Sequence, residues 1–248
     1  MKTLWDKKWG EFKADKRTHS QLDPVSRPIF NYINSLISND ANMFLETGCG
    51  TGRICFALAE AHPKAQISGT DISKDSIDLC NKSKASKNLN NISFQVMDIY
   101  KLEFKDGTFD VHYNEGVLQH IPDDLKGLKE MVRVTKKGGL VFASVVNWNC
   151  FPHTIYKFLK GRRYELYPER SYKHRDLINL FKKAGLKDIS IYGVRPGYGM
   201  QRIEGYLPIL GPIIAQLLYL LAFLIDPISN HWFSNQFGIQ IVAKGVKI

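Results

Sequence analysis

The sequence predicts an α/β fold: a seven-stranded doubly wound sheet, its last strand antiparallel, with helices on both faces and a helical cap or insertion. Three observations carry this. An apolar run, Met43-Phe44-Leu45, ends in Glu46 and is followed by glycines at alternate positions, Gly48, Gly50 and Gly52. Strand-like and helix-period segments then alternate as far as residue 194, the pattern of a largely parallel sheet. Finally, FGIQIVAKG (237–245) alternates like a strand and should close the sheet antiparallel beside the sixth.

A chain of 248 residues, 44% hydrophobic and 12% aromatic, suffices for one sizeable core and does not demand two. The net charge of +10 suggests attraction to anionic surfaces. Its cations are scattered rather than arrayed, which makes nucleic acid an unlikely partner. Cys49, Cys55, Cys80 and Cys150 have neither metal-ligand spacing nor a paired framework and read as reduced thiols. The first 20 residues hold no apolar core of signal-peptide length, so the chain is expected in the cytoplasm.

In residues 1–24, Trp5, Trp9 and Phe12 fall on one face of a short helix. This helix either packs on the domain or folds over a bound ligand. A second helix is expected over Pro24–Ile37, burying Val25, Ile29, Ile33, Leu36 and Ile37. After the first strand, the glycines permit positive φ and close approach of backbone to a ligand. Ile54, Ala57, Leu58 and Ala61 then recur at helical spacing. Strand, glycine turn and helix together form the first unit of a nucleotide-binding sheet, with the ligand at the carboxyl end of the strand.

Ile67–Thr70 form a second strand ending in Asp71, about 20 residues past the turn, where a carboxylate usually accepts ribose hydroxyls. Asp71 could equally cap the helix beginning near Ser73. A third strand, 92–99, contains Asp98. Asp106-Gly107-Thr108 turns into a fourth strand and its following loop (109–123). The helix Asp124–Val134 leads through Lys136-Lys137-Gly138-Gly139 to a fifth strand, 140–146. An amphipathic helix, Arg175–Ala184, and a sixth strand, Asp188–Val194, come later.

The register Glu46-x-Gly48-x-Gly50-x-Gly52 differs from the G-x-G-x-x-G of dinucleotide sites. An acid before the turn repels a pyrophosphate and welcomes an ammonium group. Here the chain resembles the class I, Rossmann-like S-adenosylmethionine (SAM) dependent methyltransferases of the small-molecule and lipid type, whose first motif is an acid followed by G-x-G-x-G. The match covers residues 43–146 well and the remainder in outline.

The resemblance implies a single methyltransferase domain over 1–248. Residues 1–37 would be a helical cap, 43–146 a SAM-binding half, and 147–248 an acceptor-side half. It also implies site roles. Glu46, Gly48, Gly50 and Gly52 would hold the methionine end, Asp71 with Ile72 the ribose, and Asp98 with Ile99 and Met97 the adenine. Asn114, Glu115 and Gly116 would pass beside the methyl group. His120 is either a general base or a structural histidine. His153, with Asn147 and Asn149, is a candidate at the acceptor. Arg162, Arg163, Lys173, His174 and Arg175 either grip an anionic acceptor or form a solvated face. No metal-ligand cluster is visible.

The stretch 205–225 is free of charge and long enough to span a bilayer. Its ends must return to one side of the sheet, and Pro208, Gly211 and Pro212 should shorten the helix to roughly 14 residues, below the ~20 needed to cross. It is left to be buried, to pair two subunits as a homodimer, to wall a pocket for a greasy acceptor, or to touch a membrane surface. The expected activity is methyl transfer from SAM, releasing S-adenosylhomocysteine, to a small lipophilic or membrane-associated acceptor at O, N or C. The alternatives are a protein or nucleic-acid acceptor, a non-catalytic SAM-binding subunit, and a dinucleotide oxidoreductase.

Overall fold

The computed structural model describes residues 5–10, 22, 26–160, 169–194, 207, 209–228 and 232–248. Phe12, Pro24, Val25, Arg162, Arg163 and Pro208, which the sequence singles out, lie outside the described residues.

Seven strands form one sheet: β1 (Met43–Thr47), β2 (Gln66–Asp71), β3 (Ile92–Val96), β4 (Phe109–Glu115), β5 (Thr135–Val146), β6 (Leu186–Val194) and β7 (Gln240–Lys247). Their order is β3-β2-β1-β4-β5-β7-β6. The first five strands pair in parallel, and β7 inserts antiparallel between β5 and β6. The order reverses between β1 and β4, so their connections leave to opposite sides and open a crevice at their carboxyl ends.

The helices are α1 (residues 5–10), α2 (Arg27–Leu36), α3 (Arg53–Ala61), α4 (Lys74–Lys87), α5 (Asp124–Val134), α6 (Phe151–Lys160), α7 (His174–Lys183), α8 (Gly211–Ile228) and α9 (Trp232–Phe237). Apolar positions at helical spacing give each covering helix a buried stripe. Ile29 and Ile33 of α2, Ile54 and Phe56 of α3 and Ile77 of α4 pack with Phe44, Ile67 and Val111 on one face. Leu128 and Met131 of α5 and Leu177 and Phe181 of α7 pack with Val141, Ala143 and Ile241 on the other. The central strands are therefore buried on both faces, and the polar side chains they carry, such as His112 and Asn114 of β4, are buried and hydrogen-bonded to neighbouring elements.

Several boundaries differ from expectation; β7, for one, starts at Gln240 rather than 237, because Phe237 ends α9. β3 ends at Val96, because the Asp98 carboxylate accepts the Tyr100 N–H at 2.9 Å and turns the chain out of the sheet. β5 starts at Thr135 rather than 140. Thr135 pairs with Phe109 and Leu140 with Val111, so the Lys136–Gly139 turn becomes a bulge within one strand. α8 runs for 18 residues, longer than the roughly 14 expected. Pro212 sits in its first turn, where a missing N–H costs nothing. Among the described residues no helix is long and apolar enough to cross a membrane.

Candidate active site

The glycine turn is tied down by the end of β2. The Gly48 and Cys49 N–H groups both donate to the Thr70 carbonyl, at 2.6 and 2.9 Å, and the Gly50 N–H donates to Asp71 Oδ2 at 2.9 Å. Gly48 and Gly50 have φ of 74° and 54°, a region that favours glycine. Space demands glycine too: a Cβ on Gly48 would overlap the Val117 side chain, and one on Gly50 would lie 2.9 Å from the Trp9 ring.

Carboxylates gather above this turn. Glu46, the penultimate residue of β1, is almost fully buried, its Oε2 accepting the Cys55 N–H at 3.1 Å and thiol at 2.9 Å. Burial raises its pKa well above the usual carboxylate range. Asp71 accepts Ser73 N–H at 2.9 Å as well as Gly50 N–H, and burial pushes it up to about 7. Ser73, not Asp71, is the N-cap of α4. Two desolvated carboxylates that resist ionisation are a site for a cation, whose arrival offsets the cost of charging them.

A cavity of about 310 Å³ opens over these groups. Glu46, Gly48, Gly50, Asp71, Ile72, Asp98, Ile99, Glu115 and His120 all line it, at the carboxyl ends of β1, β2 and β4 and in the loops that follow β3 and β4. Gly52 does not: it stands at the start of α3, where a Cβ would press on Phe56, Cys80 and Phe94 at 3.0–3.1 Å. Asn114 stands outside the lining too, its Nδ2 donating to the Thr47 carbonyl at 2.8 Å and stitching β4 to β1. The cavity could hold SAM: its glycines allow close backbone approach, its buried acids would suit a cation, and Met97 and Ile99 line it beside Asp98.

Trp5 and Trp9 of α1, read from the sequence as packing on the domain or folding over a ligand, lie over the cavity together with Lys8, whose ammonium is 4.6 Å from the Trp5 ring and 5.1 Å from the Trp9 ring. Other lining residues carry no sequence signal of their own. Arg53, Tyr100, Gln119 and Gln240 also line it. Gln240 comes from β7, far along the chain.

At the β4 end, Gln119 fixes the state of His120. Its Oε1 accepts the Val146 N–H at 2.9 Å, so its amide nitrogen must face His120 Nε2 at 3.3 Å and Glu169 Oε2 at 3.4 Å. His120 Nε2 therefore accepts, and bears a lone pair. The Trp5 ring stands edge-on to this imidazole at 5.2 Å.

The remaining acceptor candidates lie outside the cavity lining. His153 is buried, its Nε2 3.3 Å from Glu169 Oε1, and the same oxygen binds Lys157 at 3.1 Å. Burial would raise Glu169, but the His153 hydrogen bond and the Lys157 charge outweigh it and hold the carboxyl at about 2. Asn147 donates to the Gln236 and Gly238 carbonyls at 3.0 and 2.9 Å, clamping the exit of β5 to the entry of β7. The Asn149 N–H donates to Asn147 Oδ1 at 3.0 Å. Lys173 lies over Trp148 at 5.6 Å, and His174 Nε2 bonds the Asn235 carbonyl at 2.6 Å. Among the described residues, no group of His, Cys, Asp or Glu side chains could hold a metal ion.

This fold and cavity define a class I, Rossmann-like SAM-dependent methyltransferase. The chain belongs to the methyltransferase-domain family, whose model matches residues 38–184. It is 29% identical over 181 residues to a ubiquinone biosynthesis O-methyltransferase of Coxiella burnetii, covering 70% of this chain and 74% of that protein. It is also 28% identical over 179 residues to a demethylmenaquinone methyltransferase of Bacillus pumilus, covering 64% and 76%. A 103-residue stretch is 35% identical to an uncharacterized methyltransferase of Schizosaccharomyces pombe, but spans only 37% of that protein and 39% of this chain. A solved SAM-dependent methyltransferase of Thermotoga maritima shares the fold over the full length of both chains, with a TM-score of 0.65 at 18% identity.

Proposed function

We propose that this enzyme methylates a small lipophilic acceptor of the aromatic quinol type and works from the cytoplasmic side of a membrane. The observation that carries the reading is the grouping, at one rim of the sheet, of the acid-lined cavity with two helices, α6 and α8, that expose apolar side chains. The quinone-related names of the two relatives that match most of their length support the same acceptor class.

In this reading Glu46 and the Gly48–Gly50 turn hold the methionine end of SAM, Asp71 with Ile72 the ribose, and Asp98 with Ile99 the adenine. SAM supplies a methyl carbon made electrophilic by its sulfonium. Glu115 and His120, which line the cavity, would stand beside that carbon, and α1, which lies over the cavity, would exclude water. The acceptor oxygen forms the new bond to the methyl carbon as the carbon–sulfur bond breaks toward sulfur, releasing S-adenosylhomocysteine. The acceptor's proton passes to His120 Nε2 once the Gln119 amide yields that lone pair.

Methyl transfer from isotopically labelled SAM into a lysate, separated into lipid, soluble metabolite, protein and nucleic-acid fractions, tests the acceptor class. Label concentrated in lipid is expected. Label confined to soluble metabolites, protein or nucleic acid overturns the lipophilic acceptor. No label despite SAM binding would recast the chain as a non-catalytic subunit.

A further inference from the structure

We propose that α6 and α8, with the cationic chain around α6, form a docking face for an anionic lipid bilayer. This rests on the lipophilic-acceptor reading, because it puts the site's rim of the sheet where such an acceptor dissolves.

Both helices carry the same pattern. In α6, Phe151, Ile155, Phe158 and Leu159 are exposed, and Phe158 is 83% exposed. In α8, Ile213, Leu217, Leu220, Leu221 and Leu224 are exposed. Each set follows an i, i+4, i+7, i+8 spacing, which on a helix is one continuous stripe. The outward direction of the α6 stripe is enforced from behind, where His153 is buried and Lys157 holds Glu169. The two stripes are linked: Phe151 meets Phe237 of α9 edge-on at 6.5 Å, and α9 packs on α8.

Topology puts this surface at the same rim of the sheet as the site. α6 follows the carboxyl end of β5, and α8 lies between the end of β6 and Gln240, a cavity-lining residue that begins β7.

Charge selects the occupant. Residues 147–175 hold seven Lys and Arg against two Glu, half the net charge of the chain. Lys157 is paired inward with Glu169 and Arg170 with Asp124, and Lys160, Lys173 and Arg175 are the other described cations of the stretch. Residues 207–239 contain one acid, Asp226, and no Lys or Arg. Trp148, under Lys173, and Trp232 stand half-exposed beside the stripes, as amphipathic rings do at a headgroup boundary. An apolar stripe edged with cations and tryptophan matches an anionic bilayer surface. A second copy of this chain would oppose two such cationic margins, and like charges facing each other disfavour that contact.

The test is co-sedimentation of the full chain with vesicles of phosphatidylcholine alone and of phosphatidylcholine with roughly one-third phosphatidylglycerol. Binding at least tenfold greater to the anionic vesicles, weakened by salt, is expected. Phe158→Glu and Leu217→Glu, both on the exposed stripes, should cut that binding about tenfold and leave SAM affinity unchanged. Equal sedimentation with both vesicle types, or none, overturns the proposal. A monomer–dimer equilibrium abolished by the same variants also overturns it and gives the face to a second copy. The acceptor reading fails separately: label entering only soluble metabolites sinks that reading even where vesicle binding stands.

Discussion

The Asp71 carboxylate accepts the backbone N–H of Gly50 at 2.9 Å, so the end of β2 holds the centre of the glycine turn. One side chain thereby shapes the glycine turn and places a carboxylate in the cavity lining. Replacing it with alanine removes the charge and leaves the Gly50 and Ser73 N–H groups without this acceptor. Asp71→Ala should weaken SAM binding tenfold or more, in keeping with the roughly 1–3 kcal/mol of a charged hydrogen bond. Unchanged affinity by calorimetry would remove Asp71 from the site.

SAM affinity should depend on pH. Burial, assisted by the neighbouring Cys49 charge, pushes Asp71 up to about 7 from 3.8 in the cofactor-free protein. The folded pKa lies above the unfolded one, so this group costs the free protein stability as pH climbs from 3.8 to about 7. A cationic ligand favours the ionised form and reverses that cost. Affinity should fall about tenfold per pH unit below the Asp71 pKa and level off above it. A titration series giving a flat profile would show that Asp71 does not change protonation on binding.

Thiol chemistry offers an independent probe. Hydrogen bonds from the Cys55 and Cys80 thiols draw Cys49 down to about 5, whereas burial pushes Cys55 up, and the bond to Cys49 with burial pushes Cys80 up. Of the three, Cys49 lines the cavity. Iodoacetamide should therefore modify Cys49 first at neutral pH, and saturating SAM should slow the reaction about tenfold. Peptide mass spectrometry locates the label. Modification of Cys55 or Cys80 ahead of Cys49, or no protection, would contradict this geometry.

His120→Ala separates the two roles of that histidine. As the acceptor's base it should lower kcat about 100-fold while SAM affinity stays within about twofold. Gln119→Ala, which frees the imidazole from the amide 3.3 Å away, should shift the pH profile of kcat more than its maximum. A His120→Ala enzyme with normal kcat would leave this side chain a structural partner of Gln119 and Trp5.

Much of the fold was legible locally. Glycine spacing, period-2 runs and helical stripes depend on residues a few positions apart, and these dictate the β1-turn-α3 unit and the alternation of strands and helices over residues 43–146. Asp71 and Glu115 end β2 and β4, Glu46 is one residue from the end of β1, and Asp98 follows β3 by two residues, so a parallel sheet brings them to one rim. The extent of α8 was less legible, because the helix runs on past the charge-free stretch, through Asp226 and Pro227 to Ile228.

Some features depend on contacts between distant parts of the chain, and only the tertiary structure decides those. Asn147, an acceptor candidate from its place after β5, spends its amide on the Gln236 and Gly238 carbonyls some 90 residues away. Gln119 is set by the backbone of Val146 and reaches Glu169, a pairing no local pattern records. Trp9 reads equally well as a packing aromatic until it is seen over Gly50. By itself the sequence determined the sheet and its acidic rim, because strand alternation and turn chemistry are written in neighbouring residues. The tertiary structure decided which groups close the cavity and which apolar faces stay uncovered, because burial and hydrogen-bond satisfaction are settled only when distant segments meet.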